Sequence, residues 1–321
     1  MIELYRDKHK LQLLTMSNIW QGRLDGEELL YHRLFQRVKE EHNYDHISTG
    51  DFALHGFAVD EGVRRNKGRQ GAKDAPDVIR KNMSNFPVIL PDFSLLDFGN
   101  VTCEDGNLEN TQNNLAKNVS KVLLKGGKSL VLGGGHEVTY AHYLGIKTAF
   151  PEQKIGIINI DAHFDNRQPE KEVGPSSGTG FWQIAQEGPI NSLHIGIQRN
   201  SNTLKLFDTA HQYGMKYILA DELFFENLTS IYQRINELLE SVDYAYLTIC
   251  MDVFNASVAP GVSAAAYNGI FADAAFMHFY RHILKNKKLV ALDVAEVNPS
   301  FDIQDRTARL AACLVNEWLM M

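Results

Sequence analysis

Ile155-Gly-Ile-Ile-Asn-Ile-Asp161-Ala-His163-Phe-Asp165 is the stretch on which the reading of this chain turns. Its first six residues, mostly β-branched and apolar, predict a strand buried on both faces. The strand runs directly into three potential metal ligands at alternate positions. In extended chain, residues i, i+2 and i+4 project the same way, so Asp161, His163 and Asp165 converge just past the strand's end. Burying such groups without partners is costly, and a divalent cation would supply a partner. Taken alone, Asn159–Asp165 reads equally well as a loop whose Asp and His cap a following helix, since Asx turns after strands are common. The rest of the chain has to decide.

With 321 residues the chain can form one large α/β domain or two smaller ones. Hydrophobic residues at 44% and charged residues at 22% give an ordinary globular composition. A net charge of −7 argues against a nucleic-acid or anionic-membrane surface. No stretch approaches the roughly 18 apolar residues that a membrane span needs. Glu3, Arg6, Asp7 and Lys8 are followed by no apolar core, so no signal peptide is expected. Cys103, Cys250 and Cys313 are too scattered for a disulfide framework, and a reduced, cytoplasmic home is expected.

Outward from the central stretch, strands are expected at 52–59, 93–98, 128–132, 193–197 and 244–252, and from Lys288 toward Glu296. Helices are expected at 109–125, 137–150, from about 182, near 223–239 and at 306–319, and Asp74-Ala-Pro76 reads as another helix start. A helix over Gly26–Glu41, with Leu29, Leu30, Leu34, Phe35 and Val38 at helical spacing, reads as an outer layer or an oligomer contact. The expected organisation is a helical extension over 1–50, packed on one α/β domain over 51–321. Alternating strands and helices predict a mainly parallel sheet covered on both faces, with ligands bound beyond the strands' carboxyl ends. His136, Asp161, His163, Asp165, Asp252 and Glu296 all fall at or just past such ends. Gly127-Lys128-Ser129 resembles the tail of a phosphate loop, but Val122 stands where that motif needs glycine, and a strand follows instead of a helix.

Carboxylate-rich, imidazole-poor ligation suits a cation such as Mn²⁺. With this many ligands a pair of ions about 3.5–4 Å apart becomes feasible, and such a pair generates hydroxide near neutral pH. Metal-assisted hydrolysis at an electrophilic carbon then needs no covalent nucleophile.

Gly134-Gly-His136, Asp161-Ala-His-Phe-Asp165, Thr248-x-Cys-x-Asp252 and Asp293-Val-Ala-Glu296-Val-Asn-Pro together resemble the signature blocks of the arginase/agmatinase (ureohydrolase) family. The resemblance implies a three-layer α/β/α domain with an eight-stranded parallel sheet. It also implies a C–N hydrolase acting on a small linear amidine, and a homo-oligomer is expected. It further implies two Mn²⁺ per chain, one held by His136, Asp161, Asp165 and position 250, the other by Asp161, His163, Asp252 and again position 250. Asp165 would orient the attacking hydroxide, and Glu296 would face the amidine or guanidine.

Where arginases and agmatinases carry a histidine proton shuttle, Ser177 stands in the Ser176-Ser-Gly-Thr-Gly-Phe loop, which points away from a guanidine and toward a formimidoyl substrate. Arg69 and Arg199 are the residues expected to pair with substrate carboxylates. One departure matters: the family pattern has Asp where this chain has Cys250. A carboxylate spans two ions with two oxygens, and manganese prefers oxygen. A thiolate offers one softer sulfur and must first lose a proton. One ion is therefore expected to be held weakly, or the preferred metal to change. A guanidine-hydrolysing relative, and a metal-poor one that binds an amidine without turnover, remain the alternatives.

Overall fold

A computed structural model describes residues 19–321, and the expected central strand is present over Ile155–Ile160, buried at every position. The strands are β1 (Val38–Glu40), β2 (Phe52–Ala58), β3 (Leu95–Thr102), β4 (Lys128–Gly133), β5 (Ile155–Ile160), β6 (Asn191–Ile197), β7 (Lys216–Leu219), β8 (Tyr244–Cys250) and β9 (Leu289–Ala295). They form one nine-stranded sheet in the order β1-β3-β2-β4-β9-β8-β5-β6-β7, and every pairing is parallel. The strand beyond the implied eight is the three-residue β1, added at one edge by the N-terminal segment.

Side-chain alternation along the strands makes two cores, one on each face of the sheet. Leu130, Leu132, Ile158, Ile160 and Leu247 pack with the helices Ala75–Met83, Leu228–Ser241, Ala274–Leu284 and Arg306–Leu319. Val131, Ile157 and Tyr246 pack with Leu108–Leu124 and Val138–Ala149. The result is the expected three-layer α/β/α arrangement. Pro76 sits in the first turn of its helix, where its missing N–H costs nothing. Among the described residues, no helix is long and apolar enough to cross a membrane.

The helix expected over Gly26–Glu41 does not form as one element. That segment makes a 3₁₀ turn (Leu29–Tyr31), a four-residue helix (Leu34–Arg37) and then β1. Its N–H groups find distant partners: Leu34 donates to the Phe86 carbonyl at 2.9 Å and Phe35 to that of Ser84 at 3.1 Å. Leu29 and Leu30, expected on the apolar stripe, are exposed. Tertiary pairing thus overrides a helical spacing whose intrinsic preference is weak. The extension before residue 19 lies outside the described residues. Trp20 ties the following segment to the sheet by donating from Nε1 to Asp97 Oδ2 at 2.7 Å.

Candidate metal centre

The strands β4, β9, β8 and β5 are neighbours in the middle of the sheet, and their carboxyl ends deliver the candidate ligands. After β4 the chain turns so tightly that a Cβ on Gly134 would lie 1.8 Å from the Val59 carbonyl oxygen. Only glycine permits that passage, and it places His136 at the sheet's rim. His136 N–H donates to Glu296 Oε1 at 3.0 Å, linking the turns after β4 and β9. Asp165 and Glu296 have φ of 45° and 65°, a left-handed backbone uncommon for residues with a Cβ. Such strain persists where surrounding structure enforces it, commonly at functional sites.

Two ligand groups result. His136, Asp161 and Cys250 form one, and Asp161, His163 and Asp252 the other, with the ligand atoms of each lying within 4.8 Å of one another. Asp161 belongs to both. His136 Nδ1 lies 3.0 Å from Asp161 Oδ2 and 2.9 Å from Asp165 Oδ2, so Asp165 reaches His136 without joining either three-residue group. His163 Nδ1 lies 3.2 Å from Asp252 Oδ2 and 3.5 Å from Asp161 Oδ1.

The charge here is unbalanced. Burial pulls the His136 and His163 imidazoles down, but the surrounding carboxylates outweigh it and carry both well above their usual range. Burial, then Asp252 and Glu137, pushes Glu296 well up. Burial also raises Asp252, against the pull of His163. The Cys250 thiol is raised strongly by burial and by Asp161 and Asp252. Asp252 Oδ1 and Glu296 Oε2 are buried with no hydrogen-bond partner. Crowded carboxylates, two of them with an orphaned oxygen, and imidazoles set against them fit a divalent cation. The Asp161/His163/Asp252 group offers only nitrogen and oxygen, the donor set manganese takes, whereas the His136/Asp161/Cys250 group includes sulfur.

Above these groups lies a cleft of about 210 Å³, lined among others by Asn66, Arg167, Ser177, Ser201, Asp252 and Glu296. Ser177 is where the sequence places it, and its Oγ accepts from Asn66 Nδ2 at 3.2 Å. The two expected carboxylate-binding arginines are not in this lining. Arg69 donates from Nε and Nη2 to the carbonyls of Ser263 and Val262, at 3.0 and 2.6 Å, and lies over the Phe301 ring. Arg199 is paired with Asp221 on an exposed surface. Backbone carbonyls and an acidic neighbour occupy the donors assigned to substrate. The arginine that does line the cleft is Arg167, which has no ion pair among the described residues. Its signal in the sequence is faint: it lies two residues beyond Asp165, on the loop that leaves β5.

The arginase family model matches residues 50–321, and the chain belongs to the arginase family. Among its relatives are proteins named formimidoylglutamase. That from Geobacillus sp. is 42% identical over 308 residues, covering 94% of each chain. That from Clostridium tetani is 40% identical, covering 93% of each. The crystal structure of formimidoylglutamase from Bacillus subtilis superposes with a TM-score of 0.83 at 21% identity, over 93% of this chain and 94% of that one. Trypanosoma cruzi formiminoglutamase with Mn²⁺ gives a TM-score of 0.76 at 24% identity, over 84% of this chain and 93% of that one. At these identities the two structures speak to the fold.

Proposed function

We propose that this chain hydrolyses N-formimidoyl-L-glutamate to L-glutamate and formamide, a step of histidine degradation. One observation carries the substrate reading beyond the relatives' names. The cleft lining holds both signs of charge, the acids Asp165, Asp252 and Glu296 (whose Oε2 is unpartnered) and the unpaired Arg167. An amidine bearing carboxylates has the matching charges.

Manganese is the cofactor of this reading, and when bound it supplies Lewis-acid activation of water near neutral pH. His136, Asp161 and Cys250 would hold one ion, and Asp161, His163 and Asp252 a second, with the first weaker because of its sulfur donor. The chain's own residues supply the rest. Glu296 accepts from the amidinium N–H groups and orients the formimidoyl carbon. Arg167 pairs with a substrate carboxylate, and Ser177 and Asn66 border the same space. Asp165, held against His136, takes the proton of the attacking water and hands it to the glutamate nitrogen as the C–N bond breaks.

The test is glutamate release from N-formimidoyl-L-glutamate after metal removal and titration with Mn²⁺. Turnover that returns with Mn²⁺ is expected, while agmatine, which has no carboxylate, should show none. Turnover of agmatine alone would overturn the reading. Arg167→Gln should raise KM about 10- to 100-fold, the size of a lost charge-assisted hydrogen bond, with kcat little changed. Cys250→Asp should tighten one Mn²⁺-binding step, and a titration identical to the parent's would show that the sulfur is immaterial.

A further inference from the structure

His136 is held from behind as well as from the cleft. Its Nδ1 faces Asp161 and Asp165, whereas its Nε2 lies 2.9 Å from Thr248 Oγ1. That hydroxyl donates to Asp293 Oδ1 at 2.6 Å. The other Asp293 oxygen accepts from the Tyr246 hydroxyl and lies 2.7 Å from His142 Nδ1. His142 Nε2 in turn lies 2.9 Å from Ser129 Oγ. Thr248, Asp293, Tyr246, His142 and Ser129 are all fully buried, and none lines the cleft.

The direction of this chain follows from what each group can do. A carboxylate can only accept, so the Thr248 proton points at Asp293. The hydroxyl's lone pairs are then what His136 meets, and its Nε2 must carry the proton. Nδ1, which faces the Asp161 and Asp165 carboxylates, is thereby the nitrogen left to give up its proton and ligate a cation.

We propose that Asp293, acting through Thr248, is a positioning residue that locks His136 in its Nδ1-ligating tautomer and fixes the rotation of the ring. Tyr246 and His142 hold the carboxylate in place for that task. Two residues with no access to substrate thus set how one of the two ligand groups binds its ion. The inference rests on His136 being a metal ligand and adds the residues that make it one.

Mn²⁺ uptake, followed by the loss of the free-ion EPR signal, tests it alongside thermal unfolding of the metal-free protein. His136→Asn first identifies the binding step that belongs to His136. Thr248→Val keeps the shape and deletes the relay. It should weaken that same step about 10- to 100-fold, the usual cost of removing a partner behind a metal-bound histidine, and leave the other step unchanged. Thr248→Ser should restore parental binding, which a purely structural role for the threonine methyl would not. Thr248→Ala repeats the measurement should the valine variant fail to fold. A parent that binds Mn²⁺ beside a T248V titration that superimposes on it would overturn the relay alone. A parent that binds no Mn²⁺ would overturn the metal reading and the relay together.

Discussion

Asp97 on β3 and Asp252 just past β8 are both buried carboxylates, about 5% and 4% exposed, and they sit in opposite circumstances. Asp97 is saturated. Arg80 donates to both of its oxygens at 2.8 Å, Trp20 adds a bond at 2.7 Å, and the Gly99 N–H another at 3.0 Å. Asp252 has one imidazole 3.2 Å from Oδ2 and nothing on Oδ1. A buried charge with all its partners inside the chain belongs to the architecture. One left half-partnered, among like charges, at the carboxyl ends of four adjacent strands, is held ready for something the chain does not itself contain.

Substitution should separate the two kinds. Asp252→Asn should have the largest functional effect, lowering Mn²⁺ uptake and turnover by more than the roughly 10–100-fold typical of residues one step removed from a metal. The metal-free protein should be no less stable, since the change relieves charge crowding in the cleft. A lower melting temperature for metal-free D252N would break the comparison. Arg80→Met should do the reverse. Removing one partner of a buried pair costs about 3–5 kcal/mol, so the chemical-denaturation midpoint should fall while kcat per folded molecule holds.

The smallest effect concerns a third kind of buried polar group. His55 packs beside Tyr44 and Phe98, with Nε2 3.0 Å from the Tyr44 hydroxyl and Nδ1 without a partner. Burial pulls its imidazole down to about 3, against roughly 6.5 in an unfolded chain. Between those values the unfolded chain binds a proton that the native state refuses. Its contribution to stability is therefore complete above about pH 6.5 and lost as pH falls toward 3. His55→Gln should flatten the decline of melting temperature across that window in the metal-free protein. An unchanged slope would mean that other groups carry the acid sensitivity. His55 escapes its cost by staying neutral, Asp97 by pairing, and Asp252 by neither.

The fold was legible where strands were long and ended in polar residues. The strands β2, β4, β5, β8 and β9, and with them the ligands after β4, β5, β8 and β9, follow from apolar runs that stop abruptly. The four-residue β7 is too short to show a period, whereas the Ala274–Leu284 helix buries Phe276, Phe279, Tyr280 and Ile283 at helical spacing and carries a legible stripe. The Gly26–Glu41 segment carries a helical pattern that only its distant backbone partners overrule. The arginines show the same limit within the site. Arg199 follows β6, and its side chain turns to Asp221 on the exposed side, while Ser201, two residues on, lines the cleft. Which way a long, flexible side chain leaves its loop is set by neighbours remote in sequence, so Arg167 could not be told from Arg199 by inspection. His142 hid for another reason, because nothing local shows that the helix turns it onto Asp293.

The short outer strands have a consequence for how the molecule behaves in company. A parallel sheet ends in two open edges, each a row of unpaired amide groups that can recruit another chain. Here the edges are the three-residue β1 and the four-residue β7. Neither is long enough to template an ordered addition. By lying along β3, the segment from residue 38 to 40 covers the first three residues of that eight-residue strand. Detaching it would bare Leu95–Asp97, so the N-terminal strap serves solubility as much as stability, and a chain trimmed past Glu40 should be recovered as aggregate.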